Sequence, residues 1–303
     1  MVARFILSLD GEGKWGMADM LTPALHAQLA DAPLKRAYHD ILALLEHYRI
    51  PATFAFVGCF SLTRPQLDAA RPKLEALAQT FPDYLNPALA DLDNEGWCGA
   101  WAIEAVQKAT LPHEVALHGM THIPWNHPAM NEATARAELA LGADFPISRI
   151  ARTYIYPRNA IAWPHLLSAH GIIAYREART SRSRLLSLLS EFNLFSKPQA
   201  DPAPALPLPI PAGYFINWKH GLRRLVPTSA TRLRFRLMLR RAARTGGIVH
   251  AWTHPENIAT APATLGVLRA ILAEVAALRD AGQCEILTQQ TYAASCNAKQ
   301  PSP

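Results

Sequence analysis

A chain of 303 residues, half of them hydrophobic and 18% charged, is long enough for one large α/β domain and too apolar for a disordered protein. The four cysteines, Cys59, Cys98, Cys284 and Cys296, form no Cys-x-x-Cys pair, which excludes a zinc knuckle and a dithiol redox motif. The opening apolar run, broken at Ser8, is too short for a signal-peptide core and no segment approaches a membrane span, so the sequence reads as cytoplasmic.

In chain order, Arg4 to Asp10 is a nearly continuous apolar run ending in a carboxylate, the pattern of a central parallel strand whose carboxyl end opens into a site. Side chains alternate along a strand, so Asp10 and Glu12 share one face if Gly11 stays extended. Asp-Gly-Glu-Gly-Lys is not a calcium loop, because Lys14 stands at its fifth position and no bidentate acid follows. Leu34 to Arg49 has helical apolar spacing and is stopped by Pro51; Ala52 to Val57 reads as a strand, completing a βαβ unit. Residues 65 to 78 read as helix. Residues 80 to 102, with Pro82, Pro87, Gly96 and Gly99, read as a long loop over the site, with Trp97 and Trp101 as anchors.

Residues 113 to 122, His-Glu-Val-Ala-Leu-His-Gly-Met-Thr-His, form a short buried strand followed by His118 and His122. A helical turn after Leu117 would put both imidazoles on one face, about 5 to 6 Å apart at Cβ, close enough to share an ion. A catalytic site needs a third ligand and an open position for water. Asn131 to Leu141 and Ala162 to His170 read as helices, Thr153 to Tyr156 and Gly171 to Tyr175 as strands. The stretch from about 180 to 245 breaks this rhythm with a Ser/Arg-rich run, five prolines from Pro202 to Pro211 and a basic helix-like run, and reads as an inserted lid. Gly247 to Trp252 is a strand leading into His254-Pro255-Glu256-Asn257, Ala263 to Arg279 a helix, and Cys284 to Leu287 a final strand. The domain spans 1 to 293, and the tail from 294 to 303 is expected to be flexible.

Charge is unevenly spread. The formal net charge is +6, yet residues 202 to 255 hold no acid and carry Lys219, Arg223, Arg224, Arg232, Arg234, Arg236, Arg240, Arg241 and Arg244. Such a block favours a phosphate-bearing substrate or peripheral membrane contact through residues 219 to 244, unless it is only a solvated basic face. Nucleic acid is not expected, since few aromatics interleave with the arginines.

Three separated pieces, Ser-Leu-Asp-Gly-Glu-Gly-Lys-Trp-Gly at 8 to 16, Pro-Ala-Thr-Phe-Ala-Phe-Val-Gly at 51 to 58 and His-Gly-Met-Thr-His at 118 to 122, together resemble the polysaccharide deacetylases, the NodB-homology family of metal-dependent carbohydrate esterases. The resemblance implies a distorted (β/α) barrel of about seven parallel strands, with the basic lid inserted. It also implies a divalent metal, zinc by preference, and hydrolysis of an N-acetyl or similar acyl group from an amino sugar. By position, Asp10 matches the general base, Glu12, His118 and His122 the metal ligands, and Arg158, in Pro157-Arg158-Asn159, the arginine that orients the base. The family's acid histidine falls on His254 or His250, with His254 favoured; the acid that often pairs with it is missing, and Glu256 stands as a substitute. Trp15, Asn159, Trp252 and Asn257 are the substrate-binding candidates. The expected substrate is a nucleotide- or lipid-linked precursor of a cell-surface polysaccharide. Hydrolysis of a non-sugar cyclic amide on the same fold, and a non-catalytic relative, are the alternatives.

Overall fold

A computed structural model describes residues 1–178 and 196–297. Its centre is β1 (Ala3–Gly11), buried along nearly all its length, which explains the unbroken apolar run. Residues on alternate sides of β1 do different work. Phe5, Leu7 and Leu9 enter the main core under the helices, while Ile6 joins a separate interior cluster with Leu208, Ile210, Ile248 and Tyr292. Ile6, Ser8, Asp10 and Glu12 therefore form a row that passes from apolar at the closed end to charged at the open end.

The first crossover helix, α1 (Asp31–Tyr48), buries Leu34, Ala37, Tyr38, Ile41, Leu44 and Leu45, the stripe anticipated from spacing. It ends where Arg49 turns left-handed at φ 52°. Burial of each of its large aliphatic side chains is worth about 1.5–3 kcal/mol, so Ile41→Ala alone would loosen its seat. Next come β2 (Thr53–Phe56), α2 (Arg64–Ala78), α3 (Pro82–Asp91), α4 (Ala100–Lys108), β3 (Glu114–Leu117), α5 (Glu132–Leu141), β4 (Thr153–Ile155) and β5 (Ala174–Arg176). They are followed by β6 (Leu208–Ile210), β7 (Tyr214–Phe215), α6 (Thr228–Thr245), β8 (Ile248–Thr253), α7 (Pro255–Thr260), α8 (Ala263–Asp280), β9 (Cys284–Leu287) and α9 (Gln289–Asn297).

The sheet runs β6-β5-β4-β3-β2-β1-β8-β7, every strand pair parallel, and curls into a half-barrel with helices around it; β9 adds a ninth strand against residues 3–6 of β1. Parallel pairing puts all carboxyl ends, and the loops that follow them, at one mouth. At the other end a buried carboxylate, Glu114, accepts from Thr53 Oγ1 at 2.7 Å, Thr153 Oγ1 at 2.5 Å and the Gln290 amide at 2.9 Å, tying β2, β3, β4 and α9.

Two expectations change. Residues 80–102 are not one long loop: Pro82 opens α3 at its first turn, where a missing N–H costs nothing, and α4 begins at Ala100. Trp97 is a fully buried anchor, its indole N–H donating to Asp91 Oδ2 at 2.8 Å, and Trp101 lies edge-on to Tyr38 and Phe60. The supposed lid also belongs to the body of the domain. Residues 208–245 supply β6, β7 and α6, and α6 packs on α8 and β1 as an ordinary crossover helix. The strands were hidden because their prolines and short lengths mimic loop; residues 179–195 of that stretch lie outside the described residues.

Candidate metal centre and active site

Glu12 stands just past the end of β1, where Gly16 makes room for it and Gly11 lets Tyr38 and Phe56 close on the strand. A side chain on Gly11 would collide with the Tyr38 hydroxyl and Phe56, and one on Gly16 would collide with the Glu12 carboxylate. His118 and His122 follow β3 on a loop, not on the helical turn that their spacing suggested. Gly119 at φ 71° and His122 at φ 64° bring the rings together, with centroids 5.1 Å apart. A left-handed conformation costs a non-glycine residue about 1–2 kcal/mol, and such strain persists where surrounding contacts over-determine it.

One of those contacts is Glu138 on α5. Its Oε1 accepts from the backbone N–H of Met120 at 2.6 Å and of Thr121 at 3.0 Å, holding the loop between the two histidines. Burial pushes its carboxyl up to about 7 against these bonds. Glu256 on α7 does the same for the other ligand loop: its Oε1 accepts from the backbone N–H of Glu12 at 2.9 Å and of Gly13 at 2.6 Å. Burial and then the Glu12 charge raise Glu256 to about 7.

Glu12, His118 and His122, all buried, are the described residues whose donor atoms could share a metal ion; those atoms lie within 4.8 Å of one another. Both imidazole Nε2 atoms stand 2.9 Å from Glu12 Oε1. The His118 ring fixes what that contact means. Its Nδ1 is 2.9 Å from the Ile155 carbonyl, which can only accept, so in the neutral ring Nε2 presents a lone pair to another lone pair. Two acceptors aimed at each other need a cation or a proton between them. The donor set of two imidazoles and one carboxylate, with one histidine oriented by a carbonyl behind it, fits a divalent ion such as zinc. Burial opposes ionisation of Glu12, but the neighbouring His122 and His254 outweigh it and hold the carboxyl well below its usual range.

Asp10, one step down the same row, is held differently. Arg176, at the end of β5, grips it with two parallel bonds, Nη1 to Oδ1 at 2.9 Å and Nη2 to Oδ2 at 2.7 Å, both side chains being almost completely buried. Burial alone would raise the Asp10 pKa, and Arg176, His118 and His254 together bring it below the ordinary value. Arg176 also donates to Ser8 Oγ at 3.0 Å and Asn159 Oδ1 at 3.1 Å, and its guanidinium lies 4.7 Å from the Trp252 ring centroid. This corrects the expectation for Arg158, which instead reaches outward to Asp19 at 2.5 Å and the Tyr84 hydroxyl at 3.0 Å. Arg158 sits in a left-handed turn at φ 52° after β4, and that turn sends its side chain away from Asp10. A lone arginine closing a buried strand was the available signal for Arg176.

The two candidate acid histidines separate clearly. His254 Nε2 lies 3.4 Å from Glu12 Oε1 and 3.9 Å from Asp10 Oδ2, at the mouth. Burial would lower its pKa, but Glu12, Asp10 and Glu256 override that and raise it to about 9. The Asn257 amide nitrogen lies 3.1 Å from His254 Nδ1, occupying the place for which Glu256 was a candidate. His250 is a strut below the site: Nε2 meets Ser8 Oγ at 2.9 Å and Nδ1 the Pro211 carbonyl at 2.9 Å, and burial with the Arg176 charge lowers it to about 3. Trp15 is likewise no substrate platform, being fully buried with its indole N–H on the Trp97 carbonyl at 3.0 Å. Trp252 is partly exposed beside His254, their ring centroids 5.5 Å apart.

No protein-family model matches the sequence, and no curated protein matches it. Among solved structures, the chain resembles a Mycobacterium smegmatis protein assigned as a polysaccharide deacetylase, with 17% identity, 100% of this chain and 92% of the other covered, and a TM-score of 0.60. It also resembles the Puue allantoinase at 13% identity, covering 99% and 92%, with a TM-score of 0.63. A Pseudomonas aeruginosa PAO1 protein assigned as a polysaccharide deacetylase matches at 13% identity, covering 99% and 93%, with a TM-score of 0.57. The fold is that of the polysaccharide deacetylases, as the sequence pieces implied.

Proposed function

We propose that the protein is a metal-dependent amide hydrolase that removes an acetyl or similar acyl group from an amino sugar. The observation that carries this reading is the meeting of Glu12 Oε1 with the Nε2 atoms of His118 and His122, beside an arginine-held Asp10 and His254, whose Nε2 lies 3.4 Å from Glu12 Oε1.

A divalent ion held by Glu12, His118 and His122 would polarise the acyl carbonyl and acidify a bound water. Asp10 Oδ2 takes a proton from the attacking water as the new C–O bond forms, and Arg176 keeps that carboxylate ionised and aimed. His254 Nε2 gives its proton to the amine nitrogen as the C–N bond breaks, so acid and base finish with their protons exchanged and a water consumed. Asn159 supports the base through Arg176, and Asn257 orients the acid. Glu138 and Glu256 hold the ligand loops still, which matters because small displacements of a reacting group are costly.

Zinc is the ion this donor set favours. The proposed substrate is a phosphate-bearing N-acylated amino sugar, attached to a nucleotide or lipid carrier in the cytoplasm; the acid-free stretch from 202 to 255 supports this reading. The test joins metal analysis of the purified protein to acetate release from a panel of nucleotide-linked N-acetyl sugars. About one divalent ion per chain and acetate release on addition of that ion are expected; a protein with no ion and no affinity for one sinks the reading. The likeness to an allantoinase supports a second reading, ring opening of a cyclic amide by the same groups. Turnover of a cyclic ureide with none of the sugars would select it.

A further inference from the structure

Nine large hydrophobic side chains are notably exposed among the described residues, and four of them, Leu222, Leu225, Leu233 and Leu237, fall within sixteen consecutive positions, the first two being 73% and 70% exposed. Leu222 and Leu225 sit on the turn Gly221–Leu225, which follows β7. Because β7 runs parallel to β8, whose end leads into His254, that turn belongs to the mouth of the half-barrel. The connection is firmly held: Asn217 Nδ2 donates to the Arg223 carbonyl at 3.1 Å, and the Lys219 amide donates to Thr264 Oγ1 at 3.1 Å.

On α6 the inner face buries Phe235, Met238, Leu239 and Ala242. At 100° per residue, Leu233, Leu237, Arg240 and Arg244 fall within roughly 60° of one another on the outer face. Arg232 and Arg236 both turn to Glu274 on α8, at 2.8 and 3.6 Å, whereas Arg240 and Arg244 are exposed and make no ion pair among the described residues. Exposed leucines and arginines thus share a surface drawn from a stretch with no acidic residue of its own.

We propose that this face, the turn Gly221–Leu225 together with the outer stripe of α6 along the flank of the half-barrel, docks on an anionic lipid surface, which places the rim of the mouth beside the membrane. The pattern of apolar side chains seated among arginines is that of interfacial helices, whose leucines enter the headgroup boundary while the cations meet lipid phosphates. A protein-binding core would be depleted of charge, and a nucleic-acid face would have no use for exposed leucines. The inference stands apart from the hydrolase reading, since lipid binding is measured without turnover.

The test is flotation of the full-length protein with vesicles of phosphatidylcholine alone and of phosphatidylcholine mixed with phosphatidylglycerol. Binding to the mixed vesicles only, weakening with salt, is expected. Arg240→Gln with Arg244→Gln should weaken binding about fivefold for each charge, and Leu222→Gln with Leu225→Gln about tenfold for each leucine at unchanged net charge. Absence of flotation of the unaltered protein overturns the proposal, and that arm does not depend on any variant folding. So does binding that responds to the arginines but not to the leucines, the mark of a general polyanion site. A lipid-free dimer that the leucine changes dissociate would assign the face to a second copy of the chain.

Discussion

Two neighbouring corners of the mouth, both built on the end of β1, differ in what they lack. At the Asp10 corner every charge is answered from within the chain: Arg176 pairs both carboxylate oxygens, Ser8 and Asn159 accept from Arg176, and His250 props Ser8. At the Glu12 corner two imidazoles from the loop after β3 meet the carboxylate that follows β1, and no arginine or lysine among the described residues pairs with that carboxylate. The first corner is completed by an arginine of its own chain; the second presents a donor set that could hold a cation. A buried ion pair loses stability when one partner is removed, whereas a crowd of acceptors loses little when one is neutralised.

The sharpest way to break that contrast is Arg176→Met. It leaves Asp10 buried without its partner, and the expected cost is about 3–5 kcal/mol of unfolding free energy, read by urea titration of the metal-free protein. A loss below about 1 kcal/mol would show that the corner is not held as described.

The opposite result is expected at Glu12→Gln. With no ion present the change should leave stability within about 1 kcal/mol, because a side-chain amide can donate where the carboxylate could only accept. Adding zinc at about a thousand times its dissociation constant should stabilise the unaltered protein by about 4 kcal/mol and the variant not at all. Equal stabilisation of both would remove Glu12 from the ligand set.

The histidines test the same boundary through rate. His254→Ala should lower turnover by about 10²–10⁴-fold with the fold intact, as for loss of a general acid. His250→Ala should act chiefly on stability, through the loosened Ser8 and Arg176. Inverted effects would exchange their roles.

The smallest effect concerns Glu138, behind the histidine loop. The folded protein keeps a proton there up to about pH 7, where the unfolded chain releases it near 4.5. Between those values the folded state binds more protons, so this group's stabilisation is complete below the lower value and is lost as pH rises through the upper one, by about 3 kcal/mol in all. Glu138→Gln keeps an acceptor for the Met120 and Thr121 amides and should flatten that slope. An unchanged slope in denaturation midpoints across the interval would assign it to another group.

Much of this molecule was legible in order of residues. Local hydrophobic period placed α1, α8 and β1, and Cys284–Leu287 emerged with the bounds of β9, because a side chain's alternation or stripe is set by its own few neighbours. His118 and His122 were legible from their spacing at the end of a buried strand, whereas Glu12 became legible as the third ligand through the resemblance of residues 8 to 16 to the deacetylase motif. What resisted were features whose cause lies far along the chain. β6 and β7 are two or three residues long and rich in proline nearby, so only their partners β5 and β8 make them strands. Arg176 reaches Asp10 across 166 positions, and no spacing rule connects them.

The sequence by itself determined that apolar strands would end in carboxylates and imidazoles, since hydrophobic burial dictates that pattern locally. Tertiary structure alone decided which arginine neutralises Asp10, that His250 is a strut under Ser8, and which glutamates hold the ligand loops. Each of those choices balances desolvation against a partner brought by another strand or helix, and the partner exists only once the sheet has closed around it.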